Sequence, residues 1–293
     1  MRFAGNKRPE KRADSIRSLN GQKNVGFKLL SGRKCNLLCE HCFTNSGPKE
    51  EKTAKVSTLF NILRNMHSVL KSGNVDFMAV SGGEPMLNPY YTAALILRLN
   101  QIFYKESIEQ PRTLVLTNGT VWNEHISKML VPLRKAMIIF MSTDDFHKPP
   151  AAIEKYRKNF DVREMDADRK IAALGRGYDL DDANWKTCCD AANIRYEIDG
   201  DKIIMVEKKT HRSKFKIDED GGLHLCGYGG FTFGNLNEES MGEIVKRIGK
   251  DERALALMER GPLGLARVYG KLDDAIEIFM KKGSCGVCHA LSR

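Results

Sequence analysis

Cys35, Cys39 and Cys42 crowd the run CNLLCEHCF, with three residues between the first pair and two between the second. A closed structural zinc site needs four protein ligands. Three thiolates suit a cubane iron–sulfur cluster that leaves one iron open to a further ligand. Downstream, DFMAVSGGEP runs an apolar segment into Ser81-Gly82-Gly83-Glu84-Pro85. The other five cysteines fall into two groups, Cys188 and Cys189 with Cys226, and Cys285 with Cys288. In a reducing compartment, clustering of this kind favours metal ligands or reactive thiols over disulfides. A zinc knuckle built from CxxC pairs is the competing reading of the last group.

Such side chains need a scaffold. From about Val25 to Ser142, apolar runs alternate with amphipathic stretches. Gly26 to Leu30, Val75 to Val80, Thr113 to Leu116 and Ala136 to Met141 read as strands. Leu59, Ile62, Leu63, Met66 and Val69 recur at helical spacing, with Ser57 as the expected N-cap. Tyr91, Leu95, Leu99, Ile102 and Phe103 mark a second helix, opened by Pro89. Continuous apolar strands between such helices predict a parallel sheet with covering helices. Ligand chemistry in such folds gathers at the carboxyl ends of the strands. The cysteine run, SGGEP, Thr117-Asn118-Gly119 and Ser142-Thr143-Asp144 all lie at such ends.

Beyond Pro150 the pattern weakens. Glu154 to Arg176 is highly charged and reads as helical, so no clear fifth or sixth strand is expected there. Asp179 to Asn184 is a polar break and the expected domain boundary. Two hairpins follow: Ile194–Ile198 with Lys202–Val206 around Asp199-Gly200, then Lys214–Ile217 with Leu223–Leu225 around Asp220-Gly221-Gly222. Asn237 is the expected cap of a helix bearing Met241, Ile244, Val245 and Ile248. Gly283 should stop a final helix directly before Cys285.

The chain has 293 residues, 42% of them hydrophobic, and a formal charge of +10. That allows one large α/β domain plus a module and argues against global disorder. No apolar region follows the basic start as in a signal peptide, and no run is long enough to span a membrane. A soluble, cytoplasmic protein is the expectation. Arg2, Lys7, Arg8, Lys11 and Arg12 make a basic arm. It reads either as solvated or as a dock for an acidic substrate or partner.

CxxxCxxC after one strand and GGEP after the next, in this order, resemble the radical S-adenosylmethionine (SAM) superfamily. The resemblance covers about Val25 to Lys148. It implies an α/β fold with an open partial (β/α) barrel, abbreviated if the charged segment yields no strands. It further implies that Cys35, Cys39 and Cys42 hold a [4Fe–4S] cluster whose open iron binds SAM. Gly82 and Gly83 would let backbone approach the methionyl group. Glu84 would hold its ammonium, and Pro85 would fix the turn. His41 stands where the family usually carries an aromatic residue near the adenine; a surface loop histidine is the plainer alternative. Asn118, Ser142 and Asp144 occupy positions that by resemblance touch SAM or substrate, although Asn-Gly is also ordinary turn chemistry. His147 is either a proton shuttle or a solvated loop residue. The implied reaction is reductive cleavage of SAM, after which a 5′-deoxyadenosyl radical abstracts a substrate hydrogen. An electron donor such as flavodoxin or ferredoxin would be the partner.

The C-terminal third, through IDEDGGLHLC, FGNLNEES and CGVC, resembles the SPASM or twitch extension of that superfamily, a small α+β module. Cys226, Cys285 and Cys288 match ligands of a second, auxiliary [4Fe–4S] cluster, and Cys188, Cys189 or His211 would complete the set. The expected organisation is a basic arm over 1–21, the core over 22–182 and the module over 183–293. The resemblance implies a ribosomally made peptide as substrate, undergoing crosslinking, thioether formation, epimerisation or oxidation. Oxidation of a small molecule such as a sugar alcohol is the alternative. A zinc-containing nucleic-acid-binding protein is a more distant reading. Its charge fits, but the basic residues are interspersed with 37 acids, and aromatics do not line a basic stripe.

Overall fold

The computed structural model describes residues 2–4, 25–143, 147, 151–165, 172–180, 185–186, 188–189, 191–192, 194–199, 202–207, 213–228 and 230–293. Its strands are β1 (Arg2–Ala4), β2 (Val25–Leu30), β3 (Val75–Ser81), β4 (Arg112–Thr117), β5 (Met137–Ser142), β6 (Val162–Met165), β7 (Cys188–Cys189), β8 (Ile194–Asp199), β9 (Lys202–Glu207), β10 (Ser213–Ile217), β11 (Gly222–His224) and β12 (Thr232–Asn235). The larger sheet runs β12-β11-β10-β2-β3-β4-β5-β6, and the smaller runs β1-β9-β8-β7. From β10 across to β6 every neighbour is parallel; β11 and β12 are antiparallel additions.

Side chains alternate across a strand, so each strand offers two faces. Phe27 and Leu29 of β2, Met78 and Val80 of β3, Val115 of β4, Ile139 and Met141 of β5, and Phe215 and Ile217 of β10 are buried. Against them pack Leu59, Ile62 and Leu63 of α1 (Val56–Asn65) and Tyr91, Leu95, Ile96 and Leu99 of α2 (Pro89–Glu106). Each such burial contributes roughly 1.5–3 kcal/mol. The alternate residues Lys28, Leu114, Leu116, Ile138 and Phe140 are only half-buried. That second face is therefore the open one, and the chemistry-bearing loops rise from its carboxyl rim.

Among the described residues, the charged stretch after Pro150 holds an α-helix, a strand and the start of a 3-10 turn at Gly175. Residues Ile153–Asn159 are helical, and β6 follows on the sheet edge. The sequence concealed β6 because an edge strand needs an apolar neighbour on one side only: Arg163 and Glu164 are exposed while Met165 is buried. The sixth parallel strand comes from far downstream. It is β10, which lies beside β2 with Phe215 opposite Phe27 and Lys216 opposite Lys28. Both expected hairpins are present. The expected boundary at 182/183 and Gly200 lie outside the described residues.

Smaller corrections have local causes. Arg2–Ala4 is a strand paired with β9; Lys7, Arg8, Lys11 and Arg12 lie outside the described residues. Lys55 is the N-cap of α1 and no side chain caps it, so Ser57 does not. Ser240, not Asn237, caps α3 (Met241–Ile248), because a reciprocal box with Glu243 satisfies two end groups at once. In α4 (Leu272–Leu291) Gly283 does break the helix, with φ +65°, and Cys285 and Cys288 lie in the helical turn beyond it. Among the described residues, no helix is long and apolar enough to cross a membrane.

Candidate active site

The loops after β2 and β3 are stitched together. Ser31 N–H donates to Ser81 O at 2.8 Å, Gly83 N–H to Gly32 O at 2.9 Å, and Glu84 N–H to Lys34 O at 2.9 Å. Gly82 has φ +130°, and a Cβ there would stand 2.5 Å from Gly32 O; at Gly83 it would stand 2.1 Å from Lys34 O. The close approach expected toward a ligand is here toward the chain's own cysteine loop. Pro85 opens a short 3-10 turn and is buried.

Glu84 faces inward and is buried. Its Oε1 accepts the Met86 amide at 2.9 Å and the Thr117 hydroxyl at 2.8 Å, and its Oε2 accepts the Asn118 amide at 2.8 Å. Burial raises its pKa, with those three donors opposing. A carboxylate offers about four acceptor positions, and the chain's own donors take three of them. Asn118 continues the chain of contacts. Its Nδ2 reaches Asn36 Oδ1 at 3.0 Å and Cys35 Sγ at 3.8 Å, and its Oδ1 accepts from Thr120. The carboxyl end of β4 is thereby tied to the cysteine loop.

Backbone amides are aimed at two of the sulfurs. Cys35 Sγ accepts the Leu37 amide at 3.4 Å, and Cys42 Sγ accepts the Ser46 amide at 3.3 Å. Burial nevertheless raises the Cys35 pKa; the Leu37 amide opposes, while the charges of Glu84 and Cys42 add to the rise. A buried thiol with donors aimed at it and anions beside it becomes a thiolate when a cation arrives.

Arg176, which no sequence motif singled out, braces the cysteine loop. Its amide donates to Cys42 O at 3.0 Å, its Nε to Cys39 O at 3.0 Å, and a terminal nitrogen to Ser46 O at 2.6 Å. Gly175 has φ +57°, and a Cβ there would stand 2.6 Å from Cys42 O. The available signal was the pair of glycines around one arginine in LGRGYDL.

His41 and His147 are brought together, their ring centroids 5.0 Å apart and edge to face. Ser142 ends β5 half-buried, and Thr143 donates its hydroxyl to Met165 O at 3.2 Å. Asp144 and His211 lie outside the described residues.

The remaining cysteines make a second group. Cys189 is buried on β7, Cys226 follows β11, and Cys285 and Cys288 sit one turn apart on α4. Burial pushes the Cys288 thiol well above its ordinary pKa, and the nearby charges of Cys189, Cys285 and Cys226 push it further. Four thiols, Cys189 among them, thus share one neighbourhood. The side chain of Cys188 lies outside the described residues. Gly283 makes this docking feasible: Ser284 N–H donates to Lys186 O at 2.8 Å, and a Cβ on Gly283 would stand 2.4 Å from that oxygen.

One packed segment separates the two groups. Ala172, Ala173 and Leu174 pack with Cys285, and Phe43, Tyr178, Trp185 and Tyr228 lie against them. Among the described residues, no three His, Cys, Asp or Glu side chains are placed to hold a single metal ion. A cavity of about 680 Å³ lies between the outer helices, lined by Arg64, His67, Arg98 and Tyr104, and shares no residue with either cysteine group.

Residues 29–174 match the family described as the Radical SAM superfamily. Among solved structures, BtrN in complex with AdoMet and 2-DOIA is 14% identical with a TM-score of 0.53, covering 83% of this chain and 90% of that one. Native anSMEcpe with bound AdoMet is 16% identical with a TM-score of 0.49, covering 75% of this chain and 80% of that one. Streptococcus suis SuiB bound to S-adenosylmethionine is 10% identical with a TM-score of 0.45, covering 85% of this chain and 71% of that one. At such identity the BtrN likeness speaks for the fold alone. No curated protein matches this sequence.

Proposed function

A radical SAM domain over residues 29–174 is the premise from which we propose that this chain is an oxidoreductase or maturase removing a hydrogen atom from a bound substrate. Cys35, Cys39 and Cys42 would hold a [4Fe–4S] cluster and, through its open iron, SAM. Together these supply, when bound, reductive cleavage of the sulfonium and a 5′-deoxyadenosyl radical. The chain's own part is placement. Glu84 fixes the end of β4, Asn118 lays a donor against Cys35, and Arg176 clamps the carbonyls of Cys39 and Ser46. His41, Ser142 and Asp144 remain candidates for contact with SAM or substrate.

The observation that carries this reading is the lacing of the CxxxCxxC loop to GGEP, backbone to backbone, at the rim of a parallel sheet. Cys189, Cys226, Cys285 and Cys288 would hold an auxiliary [4Fe–4S] cluster in the twitch-like module over 183–293, with 22–182 as the core. A flavodoxin or ferredoxin would donate the electron, in the cytoplasm.

The substrate we favour is a ribosomally made peptide. Its support is the half-buried face of the sheet that carries Lys28, Leu114, Leu116, Ile138 and Phe140. A second reading, oxidation of a small molecule, is favoured by the 2-DOIA held in the BtrN complex. Anaerobic reconstitution tests the common premise. Protein with about eight irons per chain that forms 5′-deoxyadenosine from SAM and dithionite supports it. Colourless, zinc-loaded protein that leaves SAM intact overturns it.

A further inference from the structure

The loop that carries the first three cysteines has a neck. Ala54 N–H donates to Ser31 O at 3.0 Å, Arg33 N–H to Lys52 O at 2.7 Å, Gly47 N–H to Arg33 O at 3.2 Å and Cys35 N–H to Gly47 O at 3.2 Å. Residues 31–35 and 47–54 thus close the loop at its base, with Cys35 at the mouth and Cys39 and Cys42 inside. Arg33 and Lys52, joined backbone to backbone across this neck, also send their side chains to one place. Arg33 Nε donates to Glu219 Oε1 at 2.7 Å, and Lys52 Nζ pairs with the same oxygen at 3.2 Å.

Glu219 lies 186 residues beyond Arg33, in the turn between β10 and β11, and β11 leads on to Cys226 of the second group. That turn is braced from within. Asp218 Oδ1 accepts the amides of Asp220 at 3.1 Å and Gly222 at 2.7 Å, and Gly221 N–H donates to Asp218 O at 3.1 Å. The Glu219 side chain is 1% exposed, whereas those of Arg33 and Lys52 are 44% exposed. Burying a carboxylate is costly unless fixed counter-charges accompany it. Among the described residues, Glu219 Oε2 has no hydrogen-bond partner, so the two neck cations supply that compensation through Oε1. Ion pairs between exposed side chains hold little in place. Here a buried carboxylate on a braced turn fixes a cation on each side of the neck.

We propose that Glu219 is a positioning residue for the first site. Through Arg33 and Lys52 it sets the shape of the cysteine-loop neck, and with it the affinity of that site for SAM, from the hairpin that leads to the second cysteine group. The proposal rests on the reading that Cys35, Cys39 and Cys42 hold a cluster that binds SAM.

The test uses the full chain, reconstituted anaerobically and reduced with dithionite. SAM is titrated in while the electron paramagnetic resonance signal of the first cluster is followed, and iron content and thermal midpoint are read on the same samples. Glu219→Gln keeps the shape and removes the charge. It should raise the SAM concentration at half-response about tenfold per intact cluster, in the range for groups that orient metal ligands. Arg33→Met removes the partner from the exposed side of the pair and should give a similar shift; it also serves where the Glu219 variant fails to fold. The double variant should be no worse than the poorer single one, because both remove one interaction. Ser240→Ala, which removes the cap of α3, should lower the thermal midpoint and leave the SAM response unchanged. An unchanged response in folded Glu219→Gln or, failing that, in Arg33→Met overturns the proposal, as does an equal shift in Ser240→Ala. An iron-loaded wild type whose signal ignores SAM counts against the cluster reading itself, and the proposal falls with it.

Discussion

Arg176 Nε donates to the Cys39 carbonyl at 3.0 Å across a sequence separation of 137 residues. A second guanidinium nitrogen and the Arg176 amide hold Ser46 O and Cys42 O. One residue thus fixes the curvature of a loop whose three sulfurs must converge. Arg176→Ala should lower iron retention at the first site, or the rate of 5′-deoxyadenosine formation, by about 10- to 100-fold, as for other groups that orient metal ligands. Arg176→Lys should recover little, because lysine lacks the planar fork. Iron analysis and product chromatography together check this; wild-type values for Arg176→Ala would remove the clamp from the account.

The two cysteine groups should be separable. Cys39→Ala should abolish 5′-deoxyadenosine formation while leaving roughly half the iron. Cys189→Ala should remove the other half and spare uncoupled cleavage, and Cys188→Ala should do neither. Iron loss in the Cys188 variant instead would hand the fourth position to that residue.

Gly83 touches the cysteine loop so closely that a methyl group would lie 2.1 Å from Lys34 O. Gly83→Ala should cost about 1–3 kcal/mol of stability through forced backbone displacement, and it should loosen the first site. Chemical denaturation measures the first effect and iron content the second. Gly73→Ala is the contrast, since its nearest neighbour is 3.8 Å away and only its φ of +70° opposes the change.

Glu84 gives the fold a pH dependence of defined sign. Burial raises its pKa above the ordinary 4.5, with the Asn118 and Met86 amides and the Thr117 hydroxyl opposing. A raised folded pKa means that the folded chain holds this proton more tightly than the unfolded one. The contribution of Glu84 is then complete below pH 4.5 and declines as pH climbs through the folded value. Glu84→Gln removes the titration. The stability of wild type minus that of the variant should fall as pH rises, read from urea midpoints across a pH series. A difference that grows with pH would reverse the sign.

Much of this was legible in the residues themselves. The strands of the core alternate or run apolar, and period-two burial on β2 to β5 follows directly from Phe27, Leu29, Met78, Val80, Val115 and Ile139. The three-cysteine loop and SGGEP announce themselves by spacing. β6 stayed hidden because its charges face solvent at an edge. The parallel seat of β10 beside β2 stayed hidden because its partner lies far away in the chain.

The amino-acid sequence by itself determined the chemistry available: three thiolates short of a closed site, a diglycine turn, five further cysteines. Those are local facts, written in residue type and spacing. Tertiary structure alone decided which of them meet. It put Arg176 on the first cysteine loop and brought Cys189, Cys226, Cys285 and Cys288 into one neighbourhood. Contacts over such separations depend on how helices and strands pack, and packing is fixed by the summed burial of the whole core rather than by any short run of residues.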